Sequence, residues 1–377
     1  MKRVLFVFGT RPEAIKIAPL IHKFKNDQAF VTKICVSAQH RQMLDQILSI
    51  FKIVPDYDLN AMKPNQTLFD LSSFILSKLN DVLDDFNPDL VFVHGDTTTA
   101  MIASMAAFYK QIKIAHVEAG LRTNKLYSPF PEEANRQIIG VLANYHFVPT
   151  QNAKENLLKE NKNPENIIVV GNTVIDSLLF MKEELEKNSI LKEQILKELA
   201  RYYHFNEERK IILVTGHRRE NFGQGFQDLC KALKQLALNN ENVDIIYPVH
   251  LNPNVHEVVN AMLKDIKNVF LIPPLRYEEF VYLMDKSYFI ITDSGGIQEE
   301  APSLSKPILV TRNDTERPEA VQAGSAKLVG TDTQKIVQEA QRLLEDTKEY
   351  EKMSKNVNPY GDGKASEKIL EYLKQKG

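Results

Sequence analysis

Residues 112–136 read IKIAHVEAGLRTNKLYSPFPEEANR. A largely apolar run, Ile112 to Ala115, reads as a buried strand. The turn after it crowds Glu118, Arg122, Glu132, Glu133 and Arg136 together, with Gly120, Pro129 and Pro131 as punctuation. A helical pattern then runs from Glu132 to Ala143. Two readings are open for the charged turn. It either pins a strand to the next helix through ion pairs, or it forms an active-site wall, with half-buried carboxylates whose proton affinities are tuned by neighbouring cations.

The same unit of strand, charged turn and helix recurs along the chain. Strand patterns cover Val4 to Phe8, Val31 to Ser37, Asp89 to Val93, Lys113 to Val117, His146 to Pro149 and Ile167 to Val170. Helical patterns between them cover Pro12 to Asn26, His40 to Phe51, Thr67 to Phe86 and Thr98 to Tyr109. A Lys- and Glu-rich helical stretch, Ile175 to Tyr203, then leads to a second series. Its strands are Lys210 to Thr215, Asp244 to Val249, Val269 to Ile272, Tyr288 to Thr292, Lys306 to Val310 and Ala326 to Val329. Continuous apolar strands alternating with helices predict parallel sheets covered on both faces. The fold class is α/β, with two doubly wound domains facing across a cleft: residues 1–170 and residues 171–359, the helical segment from about 360 to 377 joining the first. Such sheets bind ligands at the carboxyl ends of their strands. All the charge-rich motifs fall there, which favours the active-site reading of residues 112–136.

Composition sets limits on the function. The 377 residues are 43% hydrophobic and 25% charged, with a net charge of −2. No global charge excess points to nucleic acid or an anionic membrane. No run reaches the roughly 20 apolar residues of a membrane span, and MKRVLFVFGTRPE has too short an apolar core for a signal peptide. Cys35 and Cys230, the two cysteines, indicate a reducing compartment without a disulfide framework. The expected location is the cytoplasm.

Four motifs carry the chemistry. In GTRPEAIKIAPL (9–20), Arg11 and Lys16 sit at the start of a helix, where free N–H groups and the dipole attract an anion; alternatively Glu13 pairs with one of them. In HGDTTTA (94–100), Asp96 is a cap or a functional carboxylate. In GHRRENFG (216–223), His217 stands among arginines at a strand end, placed to touch a phosphate or move a proton. In TDSGGIQEEAPSLSKP (292–307), Ser294, Gly295 and Gly296 open a helix closely enough for an anion, and Glu300 can accept from ribose hydroxyls. Arg312 and Arg317 follow. There is no metal-ligand spacing, GxGxxG fingerprint or nucleophile elbow. The ligand implied is a nucleotide diphosphate joined to something the carboxylates act on.

In this order the motifs resemble the non-hydrolysing UDP-N-acetylglucosamine 2-epimerases, from GTRPE at residue 9 to ERPEA at 316–320. The resemblance implies the GT-B fold of two Rossmann-like domains, a homodimer, and interconversion of UDP-GlcNAc and UDP-ManNAc without metal or nicotinamide, supplying ManNAc units for cell-surface polysaccharide. The family eliminates UDP to leave 2-acetamidoglucal, then adds it back with protonation from the other face. Asp96, Glu118 and Glu132 match its catalytic carboxylates. Arg11, Lys16, Arg136 and His217 match residues around the diphosphate and sugar, with His217 assisting phosphate departure. Ser294, Gly295 and Gly296 match its phosphate loop, Glu300 its ribose contact, and Arg317 an arginine without an assigned role. Some bacterial members bind a second UDP-GlcNAc as activator; Gln39, His40, Gln42, Gln66 and His250 match that site, whereas Asn65 stands where such members carry arginine. A hydrolysing epimerase, a GT-B glycosyltransferase and a non-catalytic UDP-sugar sensor are the competing readings.

Overall fold

Phe6, Phe24 and Phe92 form the centre of the first hydrophobic core. The rings of Phe6 and Phe92 stack at 4.4 Å, and Phe24 meets both edge-on. All three are fully buried. Each contributes roughly 1.5–3 kcal/mol through burial. Phe6 and Phe92 also lie opposite one another in adjacent strands. The computed structural model describes residues 1–38, 41–63 and 65–376. Its contacts divide the chain into two units, Met1–Ser177 with the C-terminal segment from Tyr360, and Leu178–Pro359.

In the first unit the order is β1 (Lys2–Phe8), α1 (Arg11–Lys25), β2 (Phe30–Val36), α2 (Arg41–Ile50), β3 (Tyr57–Asp58), α3 (Leu68–Phe86), β4 (Leu90–His94) and α4 (Thr98–Tyr109). It continues with β5 (Lys113–Val117), α5 (Glu132–Leu142), β6 (Tyr145–Val148), α6 (Gln151–Lys159) and β7 (Ile167–Val169). The strands form one parallel sheet in the order β3-β2-β1-β4-β5-β6-β7. The chain direction across the sheet reverses between β1 and β4, so the turns after these two strands flank the switch point where such sheets bind ligands. Arg11 and Asp96 lie on those turns.

The division between the units falls within α7 (Thr173–Lys187), which α8 (Ser189–Leu199) follows. The sequence pattern predicted one helical stretch here. The structure breaks it at Asn188, whose side chain accepts from the Leu191 N–H (3.0 Å) and starts a new helix. The second unit contains β8 (Lys210–Thr215), α9 (Gln224–Asn239), β9 (Val243–Pro248), α10 (Pro253–Leu263), β10 (Val269–Ile272), α11 (Tyr277–Lys286) and β11 (Phe289–Thr292). It ends with α12 (Gly295–Glu300), β12 (Ile308–Val310), α13 (Pro318–Gln322), β13 (Ala326–Leu328), α14 (Thr333–Glu345) and α15 (Thr347–Ser354). Its parallel sheet runs β10-β9-β8-β11-β12-β13, which repeats the switch between β8 and β11. Two Rossmann-like parallel sheets therefore agree with the expected fold class.

The last helix, α16 (Ala365–Gln375), belongs to the first unit. Asp176 accepts from the Ala365 and Ser366 N–H groups (3.2 and 2.8 Å), filling the donors at the helix start. Four elements escaped the sequence reading: β3, α6, α13 and α15. Each is nine residues or shorter, too short to establish a period. Among the described residues no helix is long and apolar enough to cross a membrane.

Candidate active site

Glu118 is the first residue beyond β5, in the left-handed region at φ 61°. A non-glycine residue held there costs roughly 1–2 kcal/mol, so its surroundings must fix it. Lys16, one turn into α1, forms an ion pair with it. Asn172 Nδ2 donates to Glu118 Oε2 (2.9 Å), and His94 Nε2 stands 4.0 Å from the same oxygen. The side chains of Lys16 and Glu118 are only 16% and 10% exposed, which strengthens the pair relative to one in water.

Asp96 follows β4 through Gly95, whose φ of 63° gives the sharp turn. The open question of capping is settled in favour of Thr97, which accepts from the Ala100 N–H (3.0 Å) and so starts α4. This leaves the Asp96 carboxylate for Arg136 Nη2, at 2.6 Å. Asn135 Nδ2 holds the Asp96 carbonyl (2.8 Å). Burial raises the proton affinity of Asp96; Arg136 pulls it down and the charge of Glu118 pushes it up again. A raised proton affinity brings a carboxyl closer to the range in which a general acid–base group works.

Glu132 and Glu133 open α5 and divide the work between them. Glu133 is fully buried. It accepts from the Thr123 and Asn124 N–H groups (3.0 and 3.2 Å), from Gln137 and from Arg136. It therefore anchors the preceding loop and aims Arg136 at Asp96. Glu132 is half-buried, and its Oε2 is enclosed with no hydrogen-bond partner among the described residues. Arg122, read with the charged wall, is instead bound by Glu160 through two contacts (2.6 and 3.0 Å) and joins the loop to α6. Arg11 opens α1. Glu13 pairs with neither Arg11 nor Lys16 in the contacts seen. It accepts from the Gly9 and Thr10 N–H groups and from the hydroxyls of Thr10 and Thr97.

In the second unit, Asp293 organises the corresponding turns. It is fully buried and accepts from the backbone N–H of His217 (2.9 Å) and Arg218 (2.8 Å). The His217 Nδ1 lies 3.5 Å from its other oxygen. Burial lowers the proton affinity of His217 while Asp293 counteracts it. The imidazole of His250, just past β9, stacks on His217 at 5.7 Å. Ser294, Gly295 and Gly296 begin α12, and Glu300 ends it. A Cβ added at Gly295 would lie 3.8 Å from Arg218 Nη2 and 3.9 Å from Arg317 Cγ, so two cationic side chains approach that bare backbone. Arg317 is itself ion-paired with buried Glu299.

The sequence reading passed over Asp293 and Arg218. Both lie inside the motifs it quoted, and their strand-end positions were the available signal. It also passed over His94 and Asn172, which only the tertiary fold brings to Glu118, and it weighed Glu13 only as an ion-pair partner of Arg11 or Lys16. Of the residues matched to an activator site, Gln42 lies on α2 and Gln66 just before α3. His250 is in the second unit, and Gln39 and His40 lie outside the described residues.

A family model described as UDP-N-acetylglucosamine 2-epimerase matches residues 22–374. The chain is 60% identical over 373 residues to the UDP-N-acetylglucosamine 2-epimerase of Campylobacter jejuni, covering 99% of this chain and 97% of that one. It is 57% identical over 373 residues to that of Salmonella typhimurium, covering 99% and 98%. A crystal structure of UDP-GlcNAc 2-epimerase from Neisseria meningitidis bound to UDP-GlcNAc superposes with a TM-score of 0.89 at 51% identity, covering 99% of this chain and all of that one. With a model match over most of its length and relatives this similar from end to end, the chain belongs to the UDP-N-acetylglucosamine 2-epimerase family.

Proposed function

We propose that the protein is a non-hydrolysing epimerase that interconverts UDP-GlcNAc and UDP-ManNAc at C2 of the sugar. The observation that carries this reading is the pair of strand-end carboxylates, Asp96 and Glu118, on neighbouring β4 and β5. Each is fixed by a cation from a different helix, Arg136 and Lys16 respectively.

The C2 hydrogen of the sugar is not acidic, so a carboxylate removes it only as the C1–O bond breaks. The electrons of the C2–H bond form the C1–C2 double bond, and those of the C1–O bond leave with UDP, giving 2-acetamidoglucal. UDP then adds back at C1 while a carboxylic acid protonates C2 from the opposite face. This requires one ionised and one protonated carboxyl group together, and Asp96, Glu118 and Glu132 supply the set. Asp96, whose proton affinity is raised by burial, is suited to cycling between the two forms. Arg11, Lys16 and Arg136 offset the charge of the departing UDP. In the second unit, Ser294, Gly295, Gly296 and His217 hold the diphosphate, Glu300 the ribose, and Arg317 keeps the phosphate loop in place through Glu299. A second UDP-GlcNAc acts as activator through Gln42, Gln66 and His250. The working form is a homodimer in the cytoplasm that supplies ManNAc units for surface polysaccharide.

The test is incubation with UDP-GlcNAc in D₂O, followed by NMR. Intact UDP-ManNAc carrying deuterium at C2 is the expected product. Free ManNAc with UDP would establish a hydrolysing enzyme instead, and unchanged substrate would leave a transferase or a sensor.

A further inference from the structure

We propose that Glu13 is a positioning residue for the epimerisation, one that locks the turn bearing Arg11 to the turn bearing Asp96. The inference rests on the reading above, in which Asp96 handles the proton at C2.

The geometry begins with burial. Glu13 is 2% exposed, and its two oxygens receive hydrogen bonds from two different turns. Its Oε2 accepts from the Gly9 N–H (3.1 Å), the Thr10 N–H (2.9 Å) and the Thr10 hydroxyl (2.8 Å), all in the turn after β1. Its Oε1 accepts from the Thr97 hydroxyl (2.8 Å), in the turn after β4. Thr10 directly precedes Arg11, and Thr97 directly follows Asp96. Glu13 thus spans the switch point of the sheet and ties together the backbones on which those two side chains stand. The junction has no slack: a Cβ added at Gly9 would fall 1.9 Å from Ser37 Oγ and 2.8 Å from Thr99 Oγ1. Those two hydroxyls are buried and bonded to each other at 2.8 Å. A shift of the Glu13 carboxyl must therefore move a turn rather than fill a gap.

The four partners are all donors, so the arrangement suits the carboxylate. Protonation would put a fifth hydrogen among them and force the Thr97 hydroxyl to turn round. Burial nevertheless pushes Glu13 up to about 7, which places that change inside the working pH range. The charged groups on the surrounding elements face elsewhere. Lys16 on α1 pairs with Glu118, Asp96 turns to Arg136, and α2 and α16 meet α1 further along, at His22 and Lys23. Arg11 is the remaining charged neighbour on α1. Burial and the four hydrogen bonds govern the proton affinity of Glu13.

The test compares Glu13→Gln with the wild type by C2 deuterium incorporation, steady-state kinetics across pH, UDP binding and circular dichroism. Gln keeps the shape but replaces one acceptor with a donor, imitating the protonated state. A misplaced turn costs up to about 100-fold in rate, so the expectation is a 10- to 100-fold lower kcat, at roughly 1.4 kcal/mol of barrier per tenfold. KM and UDP affinity should stay within about twofold, because uniform binding is untouched. The fall of wild-type kcat as pH drops through about 7 should be absent in the variant. Thr97→Ala, which removes the other end of the tie, should lower kcat without adding to Glu13→Gln in the double variant, and Thr97→Ser should restore it. Lack of turnover by the wild type would overturn the functional reading. An active wild type with a folded Glu13→Gln of unchanged kcat and pH profile would overturn only this inference. A loss of kcat and UDP binding in equal proportion, matching the unfolded fraction, would reduce Glu13 to a structural role and overturn it too.

Discussion

At the scale of residues, the site is a set of acids each assigned a task by its partner. Glu133, next in sequence to Glu132, spends all its capacity on Thr123, Asn124, Arg136 and Gln137. Glu132 keeps an oxygen enclosed and without a partner among the described residues. The Asp96 carboxylate is held by a cation, Arg136, and burial raises its proton affinity. Asp96→Asn retains the shape and the bond from Asn135 to the backbone but cannot exchange a proton. General acid–base groups contribute about 100- to 10,000-fold, so its kcat should fall by that factor. UDP affinity, measured by calorimetry, should stay near that of the wild type. A variant with more than a tenth of wild-type turnover would remove Asp96 from the proton-handling set.

At the scale of elements, the turn after β5 is held by packing against α6. Gly120 adopts φ 84°, and a Cβ there would lie 2.3 Å from the Ala153 carbonyl oxygen and 2.9 Å from its carbon. Both are backbone atoms of α6 and cannot rotate away. Gly120→Ala therefore combines a left-handed φ with a clash, and should destabilise the protein by roughly 3 kcal/mol or more. Denaturant unfolding monitored by circular dichroism measures this. An unchanged midpoint would mean that α6 yields at no cost, and that the turn carrying Glu118 is not set by it. The sequence marked Gly120 as punctuation, since glycine in a strand-to-loop run signals a turn. It held no sign that α6 is what meets it.

At the scale of the whole molecule, the buried histidines set the response to acid. His94, His116 and His146 occupy neighbouring strands of the first sheet, and burial lowers them from 6.5 to about 4, 3 and 4. A group depressed in the folded state stabilises the fold above its unfolded value, and that stability is lost as pH falls toward the folded value. Each such histidine contributes up to about 1.4 kcal/mol per pH unit in that window. Glu13 works in the opposite direction, since it is raised from 4.5 to about 7. Three histidines outweigh it, while raised Asp96 and Asp176 act in the same direction as Glu13 and soften the fall. The melting temperature should therefore fall steeply between pH 6.5 and pH 4.5. Calorimetry across that range tests it, and a flat profile would mean that the histidines are protonated within the fold.

The sequence by itself determined the parallel α/β class, the two series of strands, and the strand-end positions of every motif. These follow from local periodicity, because apolar runs and turn residues repeat over a few positions. The match of Glu132, and not Glu133, to catalytic carboxylates came from the family resemblance rather than from local pattern. Only the tertiary structure decided who holds whom. Lys16 meets Glu118 across 102 positions, Glu13 meets Thr97 across 84, and His217 meets Asp293 across 76. Such pairs depend on which strands lie side by side. Crossover connections place β1 beside β4 and β8 beside β11, so separation along the chain carries no information about them.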